Sequence, residues 1–237
     1  MRTLGIDCGG SGIKAGVVDR DGALVAERVR IKTPYPLSPQ RFVKVLLGLA
    51  ADMPRFDRVT VGMPGMIRHG VVVVTPHYPN LRGPYSRKDP ALDAAWRHWD
   101  AGAVLEAEFA VPVRVLNDAE VQGAAVIRGT GLEVVFTLGT GLGCAMYDEG
   151  RLAPHLEMSH APVRKGHTYD TWMGKAQLKR LGAKAWSRRI LATVDGLRPV
   201  FCWDHLYVGG GNAKHLTTDL GNDVTIGSTN TIGGGSY

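Results

Sequence analysis

Short apolar runs alternate along the chain with longer stretches whose apolar residues recur at helical spacing. The short runs predict strands at 3–7, 13–18, 24–31, 58–61, 70–75, 113–116, 132–138, 144–147 and 205–208. Ser38-Pro39 carries a helix-start signal, a serine cap followed by proline in the first turn. Asp89-Pro90 repeats that signal before a second helix, expected to reach about Phe109. Residues 118–128 read as a third helix, and 168–198 as two helices broken near Gly182. The mixture predicts an α/β chain.

Within this alternation one pattern occurs twice. Gly10-Ser11-Gly12-Ile13 followed by Val17-Val18-Asp19-Arg20-Asp21-Gly22-Ala23-Leu24 is matched by Gly139-Thr140-Gly141-Leu142 followed by Met146-Tyr147-Asp148-Glu149-Gly150-Arg151-Leu152. Each copy reads strand, glycine-hydroxyl-glycine turn, strand, acidic-glycine turn, strand. The shared order predicts two equivalent lobes with both glycine turns facing one cleft.

Composition sharpens this picture. The chain has 31 glycines in 237 residues, about 13% against an average near 7%. They bunch after apolar runs and show no Gly-X-Y period, which excludes collagen and linker classes. At 44% apolar residues a core can be buried, and the length is compatible with one or two domains. The net charge of +6 favours anionic partners without choosing among phosphates, nucleic acid and acidic lipid. Cys8, Cys144 and Cys202 are far apart and form neither a disulfide framework nor a zinc pair, which fits a reducing cytoplasm. A strand begins at Leu4-Gly5-Ile6, so no leader peptide is expected, and no apolar run is long enough for a membrane span.

Glycine lets backbone N–H groups approach a ligand, and successive N–H groups beside a hydroxyl form a nest for an anion. Residues 9–12 and 139–143 would make two such nests, suited to a polyphosphate chain. The plainer reading is two tight hairpins. No Gly-Lys-Ser/Thr P-loop is present, and neither cluster opens a helix as a dinucleotide fingerprint does. A third cluster, Gly209-Gly210-Gly211-Asn212, follows a strand and is expected to precede a helix, where a phosphate or adenosine group could sit. Val113-Arg114-Val115-Leu116 runs into Asn117-Asp118-Ala119-Glu120, placing Asp118 at a strand end and a helix start. Either residue serves as a helix cap, or Asp118 is a general base on a substrate hydroxyl with Asn117 orienting that substrate.

Together with Gly62-Met63-Pro64-Gly65 and Glu157-Met158-Ser159-His160, these segments occur in the order seen in the ROK (repressor, ORF, kinase) sugar kinases. Within that family the chain resembles the bacterial polyphosphate glucokinases and their close relatives. The resemblance covers nearly the whole chain. It implies the actin-like ATPase/hexokinase (ribonuclease H-like) fold, two lobes around a central cleft, here residues 1–116 and 117–237. It implies a glucokinase that phosphorylates glucose at O6, with Mg²⁺ and polyphosphate, ATP or both as donor. Asp118 would be the catalytic base. Gly65, Asn80, Asn117, Glu157 and His160 would bind the sugar. Gly9, Gly10, Ser11, Gly12, Lys14, Gly139, Thr140, Gly141 and Gly143 would hold donor phosphates, Gly209, Gly210, Gly211 and Asn212 would face the adenosine end, and Asp7 would lie near the metal, through water.

The chain departs from the family pattern at identifiable places. Residues 161–167 contain no cysteine where many relatives carry a zinc segment, so no structural zinc is expected and His160 reads as a sugar contact. Ser159 stands in place of a glycine, a further sugar-binding glutamate has no evident counterpart, and relatives continue past Tyr237, so the closing element would be truncated. Lys175, Lys179, Arg180, Lys184, Arg188 and Arg189 crowd one stretch. They read either as a solvated helix face with Trp186, Ile190 and Val194 behind it, or as a track for a linear polyanion, polyphosphate before DNA. The remaining expectations are no nucleic-acid or membrane partner and a homodimer by family habit. Alternative functions are a non-catalytic sugar binder and a sugar-responsive regulator lacking its DNA-binding domain.

Overall fold

A computed structural model of the protein describes residues 1–84 and 86–227. The described residues fall into two compact units, Met1–Ala124 and the residues from Ala125 onward. The expected boundary at 116/117 and this division differ by one short helix, which belongs with the strand it caps.

The first unit contains β1 (Thr3–Cys8), β2 (Gly12–Val18), β3 (Val29–Lys32), α1 (Pro39–Ala51), β4 (Arg58–Met63), β5 (Met66–Arg68), β6 (Val71–Val74), α2 (Pro90–Trp96), β7 (Trp99–Asp100), α3 (Ala101–Phe109), β8 (Val113–Asn117) and α4 (Asp118–Gly123). Its main sheet has the order β3-β2-β1-β4-β8. β1, β2 and β3 form an antiparallel meander, and β4 and β8 run parallel to β1. The second unit contains β9 (Leu132–Leu138), β10 (Leu142–Asp148), β11 (Arg151–Leu152), β12 (Pro162–Arg164), β13 (His167–Thr168), α5 (Tyr169–Met173), α6 (Lys175–Phe201), β14 (His205–Gly209) and β15 (Val224–Ile226). Its main sheet has the order β11-β10-β9-β14-β15, again a meander flanked by two strands parallel to its first member. The repeated sequence pattern is therefore a repeated sheet. The first glycine loop is one residue longer, since Cys8 pairs with Ile13 whereas Leu138 pairs with Leu142.

Each unit has its own core. Leu4, Ile6, Phe42, Leu46, Val61, Tyr78 and Trp96 pack in the first; Phe136, Leu138, Trp186, Ile190, Val194 and Leu206 pack in the second. Trp186, Ile190 and Val194 are buried while Lys175, Lys179, Arg180, Lys184 and Arg188 are exposed, as an amphipathic helix requires.

Several elements differ from the sequence expectation for local reasons. The strand expected at 24–31 survives only as β3, because Ala15 pairs with Val29 while Val18 bridges Leu24, leaving two surplus residues that bulge out. The helix expected from 90 to 109 is broken into α2 and α3. His98 takes a left-handed φ of 57°, Trp99–Asp100 pairs with β6, and Asp100 caps α3 through Ala103 N–H at 2.9 Å. The helix expected to run to 128 stops at Gly123. Downstream, the amides of Arg128, Gly129 and Thr130 turn onto the buried Glu133 carboxylate at 2.7, 2.6 and 3.3 Å. Gly182 has φ 73° and ψ 162°, which breaks α6 where the sequence signals a break. The helix expected after Gly209-Gly210-Gly211 is only a single 3₁₀ turn, Ala213–His215.

Candidate functional site

The parallel strands of the first unit bring its candidate residues to one sheet edge. Asp7 pairs with Gly62, Gly62 with Leu116, and Met63 with Asn117, so the C-terminal ends of β1, β4 and β8 lie side by side. Antiparallel pairing sets Lys14 opposite Asp7, and their side chains form an ion pair at 3.2 Å. The first glycine loop is held by its carbonyls: Tyr78, Thr33 and Tyr35 donate their hydroxyls to Cys8, Gly9 and Gly10 at 2.8, 2.7 and 2.7 Å. The Gly9 N–H closes the loop onto Gly12 O at 2.9 Å, so the amides the loop can offer a ligand are those after Gly9. Cys8 is buried, and burial first, then the Asp7 and Asp118 charges, pushes its thiol pKa well above the ordinary value, which disfavours the thiolate.

Asn117 organises this edge. It is only 4% exposed. Its Oδ1 accepts the Ala119 N–H and its Nδ2 donates to the Gly65 carbonyl, both at 2.8 Å. Glu120 completes a capping box by accepting the Asn117 N–H at 2.8 Å. Gly65 has φ 104°, and a Cβ there would stand 2.2 Å from the Val74 carbonyl, so only glycine fits the turn that Asn117 grips. Asp118 follows as the first helical residue, half-buried, its Oδ1 accepting the Ala119 N–H at 2.9 Å. Asn117 thus acts both as cap and as tether. Asn80 is buried in the same unit, and among the described residues its Oδ1 and the Thr75 hydroxyl have no hydrogen-bond partner.

In the second unit the glycine turn is braced by the protein while Thr140 at its tip stays exposed. Gly139 N–H donates to Gly141 O at 3.1 Å, Lys175 N–H lies 3.2 Å from both Gly139 O and Thr140 O, and Asn212 Nδ2 donates to Gly139 O at 2.7 Å. This last bond joins the third glycine cluster to the second. The Asp170 carboxylate accepts the Leu142 N–H at 2.9 Å, and a Cβ on Gly141 would stand 1.7 Å from it. Part of the expected phosphate nest therefore holds a carboxylate of the protein itself.

Glu157 lies in the same neighbourhood. Ser159 donates its hydroxyl to Glu157 Oε1, and the His155 ring stands 3.7 Å from Oε2. Burial opposes the Glu157 charge, but the His155 and Ser159 contacts and the His160 charge bring its pKa below the ordinary value. For Asp170 burial wins, helped by the Glu157 charge, and its pKa is raised despite the Leu142 bond and His160. The exposed His160 charge thus reaches both Glu157 and Asp170, and the Glu157 charge reaches Asp170. Asp170 escaped the sequence reading because it lies outside the Glu157–His160 segment; its only signal is an acidic residue in the first turn of a short helix. His155 escaped it as a lone histidine in a loop. Among the described residues no group of three His, Cys, Asp or Glu side chains could hold a metal by itself, and none of the described helices is long and apolar enough to cross a membrane.

A duplicated five-stranded α/β unit with two glycine turns and a strand-end Asn-Asp pair defines a class. Residues 3–164 match the ROK family model, and the chain belongs to the ROK family. Among curated proteins it is 29% identical over 222 residues to the polyphosphate glucokinase of Mycobacterium leprae, a match covering 90% of this chain. The match spans 64% of the length of that relative. It is 28% identical over 229 residues to an Escherichia coli N-acetylmannosamine kinase, covering 93% of this chain and 70% of the relative. Among solved structures it resembles the inorganic polyphosphate/ATP-glucomannokinase of Arthrobacter sp. strain KM, with a TM-score of 0.75 and 29% identity, covering 95% and 91% of the two chains. The fold is that of the actin-like ATPases and hexokinases.

Proposed function

We propose that the chain is a hexokinase-type phosphotransferase that phosphorylates glucose at O6 with polyphosphate, ATP or both as donor. The observation that carries this reading is the Asn117-Asp118 junction. A carboxylate at the C-terminal end of β8, the edge strand parallel to β4, follows a neighbour whose side chain is locked to Ala119 N–H and Gly65 O. Phosphoryl transfer asks little covalent chemistry of the protein; it needs a positioned hydroxyl, a base for its proton and stabilised charge on the phosphoryl oxygens. Asp118 takes the O6 proton as the oxygen attacks the terminal phosphorus. The second hydrogen of Asn117 Nδ2 is available to a sugar hydroxyl. Glu157, His160 and Asp170 supply further hydroxyl partners, with Gly65 shaping the sugar turn. Asn80, whose buried Oδ1 has no hydrogen-bond partner among the described residues, is a further candidate acceptor.

The donor-phosphate partners are, in the first unit, the amides of Gly10, Ser11 and Gly12 with Lys14 and, in the second, Thr140, Gly141, Gly143 and Gly209–Asn212; the Gly9 N–H is not among them, because it is donated to Gly12 O at 2.9 Å. Mg²⁺, when bound, neutralises charge on the donor phosphates. Asp7 suits it, being a hard oxygen ligand, and Mg²⁺ is commonly held by one or two carboxylates plus phosphate and water. Asp7 would act through water, since Lys14 already occupies one of its oxygens. The polyphosphate glucokinase and glucomannokinase relatives support a hexose and a polyphosphate or ATP donor, and the N-acetylmannosamine kinase match makes that sugar the competitor to test. The test incubates purified protein with Mg²⁺, each hexose and each donor. Glucose 6-phosphate formation is expected, and phosphorylation of N-acetylmannosamine in preference to glucose would reassign the sugar.

A further inference from the structure

Two arginines of the second unit stand over a single indole, and a third shares a glutamine with one of them. The Arg189 guanidinium carbon lies 3.7 Å from the Trp172 ring centroid and that of Arg164 lies 5.8 Å away. Arg189 also donates to the Trp172 carbonyl at 2.8 Å and to Gln177 Oε1 at 3.3 Å. Arg180 donates to that same Gln177 oxygen at 2.9 Å. All these acceptors are neutral. Among the described residues no carboxylate pairs with any of the three arginines, and residues 171–194 carry six lysines and arginines and no Asp or Glu. Like charges gathered around neutral partners disfavour one another. Arg189 registers this: burial first, then the Arg180 and Arg164 charges, lowers its pKa.

A multivalent anion would offset that repulsion. We propose that Arg164, Arg180 and Arg189 form a docking site for linear inorganic polyphosphate where β12 meets α5 and α6, distinct from the loop residues that engage the reacting phosphate. This deepens the proposed function and rests on it. The geometry favours a chain of phosphates. α6 begins against the second glycine turn, where Lys175 N–H meets Gly139 O and Thr140 O. Exposed Lys175 and Lys179 therefore lie along the same helix between that turn and the arginine cluster. Nucleic acid fits less well, because single strands bind through free aromatic faces. The Trp172 ring is already occupied by Arg189 and flanked by Arg164 and by His167, whose ring centroid is 5.7 Å away.

The test measures binding of long-chain polyphosphate to the full chain by calorimetry at several salt concentrations, beside single-stranded DNA of equal charge. The proteins are wild type, Arg164→Ala, Arg180→Ala, the double variant, and Lys44→Ala as a charge control on α1. Retained thermal unfolding confirms that each variant folds. The double variant should bind polyphosphate about 10-fold or more weakly, with a salt slope lower by roughly 1.4–1.8, since each phosphate contact contributes about 0.7–0.9. Unchanged binding by the double variant, equal weakening by Lys44→Ala, or DNA binding as tight as polyphosphate would each overturn the site. Variant-sensitive binding without hexose phosphorylation would sink the kinase reading and leave the docking site. Turnover on polyphosphate with variant-insensitive binding would sink the docking site alone.

Discussion

Asn117→Ala removes a buried side chain that does two separate jobs. Losing the cap on α4 costs about 1 kcal/mol. Losing the donor to Gly65 O leaves a buried carbonyl short of a partner, worth roughly 1–3 kcal/mol. Asp118 retains its own contact to Ala119 N–H, which softens the first term, so the total expected is about 2–4 kcal/mol. For a chain of this size that corresponds to a fall in Tm of roughly 5–15 °C. Asn117→Asp should be worse, because it keeps the cap but turns a carboxylate oxygen toward the Gly65 carbonyl at a site only 4% exposed. Urea denaturation of both variants, with hexose phosphorylation measured on the folded fraction, checks this. If Asn117→Ala unfolds within about 0.5 kcal/mol of wild type, the tether to Gly65 carries no weight and the account of this edge is wrong.

Further predictions rest on other residues. Asp118→Asn should lower kcat about 10²–10⁴-fold while leaving Tm nearly unchanged, because Asn117 also holds Ala119 N–H; steady-state kinetics and calorimetric unfolding decide it, and retained turnover rejects the base. Gly141→Ala should destabilise by roughly 1–3 kcal/mol, since its Cβ would meet the Asp170 carboxylate. Pairing it with Asp170→Ala should recover part of that loss, and strict additivity in a double-mutant cycle would show the two do not interact. The depressed pKa of Glu157 means that the unfolded chain takes up its proton first on acidification. Its stabilisation is complete above the ordinary glutamate range and disappears as pH falls through the folded value. Ser159→Ala should raise that folded value, so acid unfolding and loss of sugar affinity begin at higher pH; superimposable pH profiles would remove Ser159 from this role.

Local signals carried much of this structure. The cap at Ser38, the break at Gly182 and strand β9 stand where the chain pattern places them, and the duplicated hairpins become matching sheets because each copy encodes its own turns. What local pattern could not convey is competition from distant groups. Glu133 draws residues 128–130 onto its carboxylate, and the pairing of Trp99–Asp100 with β6 splits a helix whose own sequence runs on. The candidate site divides in the same way. Asn117 and Asp118 were legible as a strand-end, helix-start pair, and Asp7 through the family resemblance. Asp170 was not, because its contacts to Leu142 N–H and toward Glu157 arise only when α5 packs on the second glycine turn. The basic stretch shows the limit from the other direction. Periodicity identifies its solvated face, but the stacking of Arg189 on Trp172 and the approach of Arg164 from β12 are tertiary.

The central claim is that Asp118, positioned by Asn117, serves phosphoryl transfer to a hexose hydroxyl. Its most direct test is product formation from glucose and Mg²⁺ with polyphosphate or ATP, by wild type and by folded Asp118→Ala. The account predicts glucose 6-phosphate from wild type and none above background from the variant. Failure of wild type to phosphorylate any hexose with either donor, or undiminished turnover by the variant, would contradict it.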